Sequence, residues 1–334
     1  MNGRQRAFFG WIVSSLLLFA PLGGCKRESS GAGAMRLAVI PKGTTHEFWK
    51  SVHAGAVKAS EELGVEIIWK GPLREDDLKA QIDVVQSFTA QGVSGMVVAP
   101  LSDKGLVGAV HQAVGAKIPV VIFDSDLQGH DHTSFVATDN FAAGQIAGQE
   151  VVRLLGGKGN VLVLRYNEGS ASTTNRENGF LDIVKKSPGL KIVSDNQYGG
   201  ATTETAFSTS ENLLSATKAG EGGVDAIFCP NESTTFGMLL ALEKTGIAGK
   251  LKFVGFDSSA KLVEGLKQGH IHGLVLQNPF KMGYLAVKTL TRHLKGETVE
   301  PRIDTGATLV TRENLGQPDI EQLVLPDLKK WLKE

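Results

Sequence analysis

The sequence predicts an α/β protein of two doubly wound, parallel-sheet lobes, and three observations predict it. From Arg36 onward, short apolar runs rich in Val and Ile alternate with longer segments of helical spacing. A parallel strand pair needs a crossover long enough to hold a helix, so this alternation builds a parallel sheet with helices on both faces. The pattern restarts after Thr138, and a chain of 334 residues is long enough for two such units.

The first strand is Leu37 to Ile40, ended by Pro41, and its unbroken apolar run suits burial on both faces. Lys42 to Thr45 make a polar loop. His46, Glu47, Phe48 and Trp49 then open a helix that runs to Leu63. Two adjacent aromatics cannot both face one core, and the pair stands out in a chain that is only 7% aromatic. Strands follow at Val65 to Trp69, Gly95 to Ala99 and Pro119 to Phe123, with helices at Asp76 to Gln91 and Lys104 to Gly115. The first lobe ends near Thr138. Asp139 and Asn140 cap a helix to Leu155, which Gly156 and Gly157 stop. The second lobe takes strands at Asn160 to Tyr166, Leu190 to Ser194, Ala226 to Cys229 and Lys252 to Phe256. Its helices are Asn175 to Lys186, Thr203 to Lys218, Thr234 to Thr245 and Ala260 to Gln268. A helix from Phe280 to Leu294 and a strand around Thr308 to Val310 complete the lobes.

Ahead of the first strand lies a segment of a different kind. Arg4 and Arg6 precede an apolar run from Ala7 to Phe19, followed by Leu22-Gly23-Gly24-Cys25. A basic start, an apolar middle and small residues at a cleavage point mark residues 1–25 as a secretory signal. The last four residues resemble the lipobox of bacterial lipoproteins, which implies that Cys25 becomes a lipid-bearing N-terminus of an exported, membrane-anchored protein facing the periplasm or cell surface. Residues 26–35 read as a flexible tether. Cys229 is the one other cysteine, so a hydrophobic core rather than an internal disulfide must hold the fold, and within its apolar run Cys229 reads as a small buried hydrophobe.

Lys plus Arg and Asp plus Glu stand at 35 each, so no net field draws nucleic acid or an anionic surface. A neutral small molecule suits that balance better. In open parallel sheets, ligands bind beyond the carboxyl ends of the strands. The residues there are Pro41 to Trp49, Asp124-Ser125-Asp126, Asn167 to Arg176, Pro230-Asn231-Glu232, Asp257 and Gln277-Asn278. Carboxylates and amides pair with adjacent hydroxyls while rings cover an apolar C–H face, so this mixture, drawn from both lobes, points to a polyhydroxyl ligand.

The mature chain from Arg36 to about Val310 resembles the periplasmic sugar-binding proteins of the ribose- and galactose-binding type, the ligand-capture subunits of ABC importers. The resemblance is carried by His46-Glu47-Phe48-Trp49, Val121-Ile122-Phe123-Asp124, Ala137-Thr138-Asp139-Asn140, Arg176-Glu177-Asn178-Gly179-Phe180, Pro230-Asn231-Glu232, Val254-Gly255-Phe256-Asp257 and Gln277, in that order. It implies two lobes joined by three crossover segments, with residues 36–138 and 278–302 in the first and 139–277 and 303–334 in the second. It further implies a monomer that closes on a monosaccharide and is then recognised by a membrane permease. His46 falls where ribose binders place an Asn, and Phe48 and Trp49 fall on their two stacking aromatics. Asp124, Asn231, Asp257 and Gln277 match positions that hydrogen-bond the sugar. Ala99 and Ser125 replace an Asn and an Arg of the ribose pattern, and the helix-start Arg aligns with Thr174 while Arg176 lies two places later. These departures keep the class and leave the particular sugar open. Presentation of the closed form to a chemoreceptor or histidine kinase is the alternative use of the same lobes.

Bland roles compete for several of these residues. Phe48 and Trp49 could pack the first helix on its sheet, and Asp124 and Asp257 could cap turns. Asp139 reads as a helix cap. Arg176 binds a hydroxyl or ties down Glu177, and Tyr198, before Gly199 and Gly200, supplies a further wall. His130 with His132 and His270 with His272 lack a third placed ligand, so no metal is expected. No cofactor is expected either: no phosphate loop is present, and no Gly-x-Ser-x-Gly motif or paired acid gives an enzyme reading a footing.

Overall fold

The computed structural model describes residues 35–324 and 326–332. The signal segment, Cys25 and the tether up to residue 34 lie outside the described residues, and so does residue 325. One sheet is built from β1 (Arg36–Ile40), β2 (Glu66–Trp69), β3 (Gly95–Val98), β4 (Val120–Phe123), β5 (Ser134–Ala137) and β11 (Arg302–Asp304). Helices α1 (Glu47–Leu63), α2 (Leu78–Gln91), α3 (Val107–Gly115) and α9 (Pro279–Leu294) flank it. The second sheet holds β6 (Gly159–Arg165), β7 (Leu190–Tyr198), β8 (Ala226–Phe228), β9 (Lys252–Phe256), β10 (Gly273–Gln277) and β12 (Ala307–Val310). Around it stand α4 (Asn140–Leu155), α5 (Ala171–Lys185), α6 (Thr203–Ala216), α7 (Glu232–Lys244), α8 (Ala260–Gln268) and α10 (Pro318–Val324).

The strand orders are β11-β5-β4-β3-β1-β2 and β12-β10-β9-β8-β6-β7, so the two lobes repeat one plan. All pairings are parallel except β10 with β12. β1, β3 and β4 are buried along nearly their whole length because helices cover both faces. Each lobe accordingly has two apolar clusters, one on either side of its sheet. Cys229 is fully buried among the second lobe's core residues, and burial pushes its thiol well above the usual range.

The chain crosses between the lobes at 138–139, at Asn278 and at 305–306. β11 pairs with β5, so the first lobe keeps the chain to Asp304 rather than to residue 302. The C-terminal segment leaves α10 on the second lobe, and Trp331 then packs 6.2 Å from Phe280 at the start of α9 on the first. Placing all of 303–334 in the second lobe therefore needs correction. Asp139 caps α4 by accepting the Ala142 amide at 3.0 Å, the structural role expected of it. The sequence reading passed over β5, β11 and α10. It also stopped β7 at Ser194, although this polar edge strand runs on to Tyr198.

Candidate functional site

The carboxyl ends of the strands in both sheets face one another, and the inner cavity between them is small, about 30 Å³. All eight of the residues expected at the ligand line it: His46, Phe48, Trp49, Asp124, Arg176, Asn231, Asp257 and Gln277. Residues far apart in sequence meet here because each follows a strand of the same direction. Asp124 and Asp257 follow the last Phe of β4 and β9, and both hold left-handed backbone, with φ of 60° and 64°. Asp tolerates that conformation better than most side chains, but it is still strained, and its repetition at one topological place in each lobe marks a built feature.

The charges are arranged in layers. Lys42 Nζ, at the end of β1, lies 3.0 Å from Asp124 and donates across the cleft to Ser172 Oγ at 3.1 Å. On the same side, Glu75 is the hub. Its carboxylate accepts Trp49 Nε1 at 2.6 Å and Tyr166 Oη, from the other lobe, at 2.6 Å, and it lies 2.9 Å from His46 Nδ1. Burial alone would raise the Glu75 carboxyl, but the His46 charge and hydrogen bond, with Lys42 and Tyr166 behind them, pull it down to about 2. Burial likewise disfavours the His46 cation, yet Glu75 overrides it and His46 is pushed up to about 9. This corner therefore carries an imidazolium facing a carboxylate at neutral pH.

The second lobe supplies the opposite wall. Arg176 is fully buried, donating from Nε to Asn140 Oδ1 at 2.8 Å and from Nη1 to the Pro230 carbonyl at 2.9 Å, with its guanidinium 4.6 Å from the Phe256 ring. It lies 3.9 Å from Asp257 and has no hydrogen bond to Glu177, which pairs instead with Arg165. Asp257 accepts Gln277 Nε2 at 2.8 Å and the Glu232 amide at 3.1 Å. Gln277 lines the cavity, and its Oε1 is buried and has no hydrogen-bond partner. Burial raises the Asp257 carboxyl and lifts that of Glu232 to about 7. The Phe48 amide reaches Glu232 Oε2 across the cleft at 3.4 Å. Asn231 is drawn back onto its own helix, where its Oδ1 accepts the Thr234 amide and hydroxyl.

The two aromatics divide their roles. Trp49 is 2% exposed and packs edge-on against Phe123 in the core while its indole N–H serves Glu75. Phe48 is half-buried and offers a ring to the cleft, edge-to-face with Trp49. Three further expectations are not met in the cavity. Thr174 and Tyr198 line a different surface depression, with Arg165 and Glu168. The reason lies in α5, which begins four residues earlier than expected, so Ser172 and Arg176 share its inward face and Thr174 turns away. Tyr198 ends an edge strand and is 45% exposed. Ser125 is buried just behind the cavity, where its Oγ accepts the Ser172 amide at 3.1 Å and joins the lobes.

Sequence reasoning missed Lys42, Glu75, Tyr166, Ser172, Thr173 and Glu232 as lining residues in their own right. Most fall inside stretches already named at strand ends. Glu75 does not, because the strand-end rule was not applied after β2, and Gly71 to Asp77 reads as an ordinary charged loop. Among the described residues no group of His, Cys, Asp and Glu converges as a metal site requires. His270 pairs with Glu243, and His272 accepts the Phe253 amide.

Two α/β lobes with one polar cleft between their strand ends define a solute-capturing protein, since each lobe holds only half of the contacts. The chain belongs to the periplasmic binding protein domain family, whose model matches residues 37–298. The ribose import binding protein of Haemophilus influenzae is 26% identical over 300 residues, covering 90% of this chain and 98% of that one. A carbohydrate-transporter solute-binding protein of Agrobacterium radiobacter, solved with D-arabinose, is 34% identical with a TM-score of 0.83, over 88% of this chain and all of that one. An ABC-transporter solute-binding protein of Agrobacterium vitis, solved with D-fucose, is 34% identical with a TM-score of 0.82, over 87% of this chain and all of that one.

Proposed function

We propose that this chain captures a sugar between its lobes for an ABC importer, as an exported protein tethered by lipid at Cys25. The observation that carries the reading is the convergence of Asp124 and Asp257, from equivalent strand ends of the two lobes, on a cavity that Gln277 and Phe48 also line. Sugar hydroxyls pair with the carboxylates and the amide, and the ring covers a C–H face. Each such bond to a charged group contributes roughly 1.5–3 kcal/mol, so a handful supports micromolar binding or tighter. The lobes part to admit the sugar and close because only the closed form lets both touch it. Binding, not turnover, is the expected activity. Relatives named as import binding proteins favour delivery to a permease over presentation to a sensor.

Calorimetry of the full chain against pentoses, hexoses and their derivatives tests the reading, and heat from none of them overturns it. Asp257→Asn keeps the shape but turns an acceptor into a mixed donor, and should weaken binding about tenfold or more without lowering the melting temperature comparably. The anchor is tested separately: Cys25→Ser should move the protein from the membrane fraction to the soluble one.

A further inference from the structure

The segment beyond α10 gives the two lobes a connection that the three chain crossings do not. Its root lies in the second lobe, where Ile320 and Val324 of α10 are buried in the apolar cluster that holds Leu262, Val263 and Leu266 of α8. Ser258 Oγ, one residue past the cleft's Asp257, donates to the Val324 carbonyl at 3.3 Å and pins the end of α10. Its tip lies on the first lobe, where the Trp331 ring packs 6.2 Å from that of Phe280. Phe280 is a firm post. A Cβ on Gly55 would lie 1.9 Å from the Phe280 carbonyl oxygen and one on Gly283 2.1 Å from that of Val52, so α9 is seated on α1 with no slack.

The two ends differ in strength. A helix and a hydrogen bond hold the root, whereas packing alone holds the tip, with Trp331 half-buried and Leu332 buried beside it. Among the described residues, 326–332 hydrogen-bond only to one another, as in the Leu328 amide on the Pro326 carbonyl at 2.9 Å and the Trp331 amide on that of Leu328 at 3.0 Å. Between root and tip the segment borders open space: Pro326 and Leu328 line a chamber of about 580 Å³ that also reaches Phe48 and Asp257. Ser258 and Phe280 stand on opposite sides of the crossing at Asn278. Hinge opening turns one lobe against the other, so it must change the distance between them.

We propose that residues 326–332 are a strap, a fourth and non-covalent tie that docks Trp331 on Phe280 when the cleft shuts and lets go there when it opens. The strap rests on the two-lobe capture reading but not on the ligand being a sugar. A contact made only in the shut form favours closure, and affinity rises with the population able to hold ligand. A ring pair of this kind shifts an equilibrium by about two- to tenfold.

The test uses two variants, Trp331→Ala and a chain ending at Val324, both in a Cys25→Ser background that needs no detergent. Small-angle scattering without ligand should give each a larger radius of gyration than the parent. Saturation with the tightest-binding monosaccharide of the calorimetric panel should restore the parent's closed radius, which an unfolded chain would not recover. Calorimetry should show that monosaccharide bound about two- to tenfold more weakly by Trp331→Ala. If the shortened chain fails to fold, Trp331→Ala alone decides. A ligand-free radius unchanged in Trp331→Ala overturns the strap, whatever the affinity does. A larger radius in a chain that binds no saccharide upholds the strap and overturns the sugar reading.

Discussion

Glu75 and His46 form an ion pair that no strand or helix places side by side in sequence. The pair makes stability depend on pH in a definite direction. A His held at about 9, above its ordinary 6.5, grips its proton more tightly when folded. Its contribution is complete below about 6.5 and is lost as pH rises through about 9. Glu75, held at about 2 against 4.5, loses its contribution only as pH falls below 4.5 toward 2. Glu232, raised to about 7, also favours the folded state less once it ionises, between 4.5 and 7. Thermal midpoints measured at pH 6 and pH 9.5 should therefore fall, and the fall should be smaller in Glu75→Gln, where His46 has lost its partner. Equal falls in both proteins would show that the pair does not set this dependence. Of the residues at the cavity, those singled out from sequence were the ones following strands with strong apolar runs. Glu75 and Tyr166 were hidden because nothing local distinguishes a buried charge or hydroxyl from a solvated one.

At the scale of elements, helix packing holds Arg176 in place. α4 and α5 cross so closely that a Cβ on Gly144 would lie 2.0 Å from the Arg176 carbonyl, and one on Gly179 2.0 Å from that of Phe141. This contact sets Arg176 against Asn140, its partner from the facing helix. Gly179→Ala must push the helices apart, and overpacking of this kind costs about 1–3 kcal/mol. Urea unfolding should register that loss, and sugar affinity should fall with it as Arg176 shifts. A variant as stable as the parent would mean the helices separate freely. Most elements were legible in sequence, since apolar runs of the β1 and β4 kind need no context. β5 and β11 were not, because four and three residues carry no period, and both owe their existence to a neighbour already in place. The start of α5 was misplaced because Ser170-Ala171-Ser172-Thr173-Thr174 is a run of small residues with no apolar period, and the shift by four residues changed which Thr faces the cleft.

The whole molecule is joined across the cleft by its own side chains. Lys42 to Ser172, Tyr166 to Glu75, the Ser172 amide to Ser125 and the Phe48 amide to Glu232 all run from one lobe to the other. These bonds bias the lobes toward closure, so they influence affinity beyond any contact their side chains make with the sugar. Tyr166→Phe keeps the ring and deletes one bond to a charged group, which is worth roughly 1.5–3 kcal/mol. Small-angle scattering of the sugar-free protein should give a larger radius of gyration for Tyr166→Phe than for the parent. An unchanged radius would assign that bond no part in closure.

What the sequence determined alone is the doubly wound plan and the identity of most residues at the strand ends. Burial of a strand on two faces demands apolar runs, and the chemistry of a ligand site then has to sit in the loops beyond them. What only the tertiary structure decided is which of those residues meet. The Lys42–Asp124 and Glu75–His46 contacts depend on distances between strand ends within the first lobe, and those of Tyr166 with Glu75 and of Lys42 with Ser172 on distances between the lobes. Those distances come from the packing of two sheets and three crossings, which no local pattern encodes.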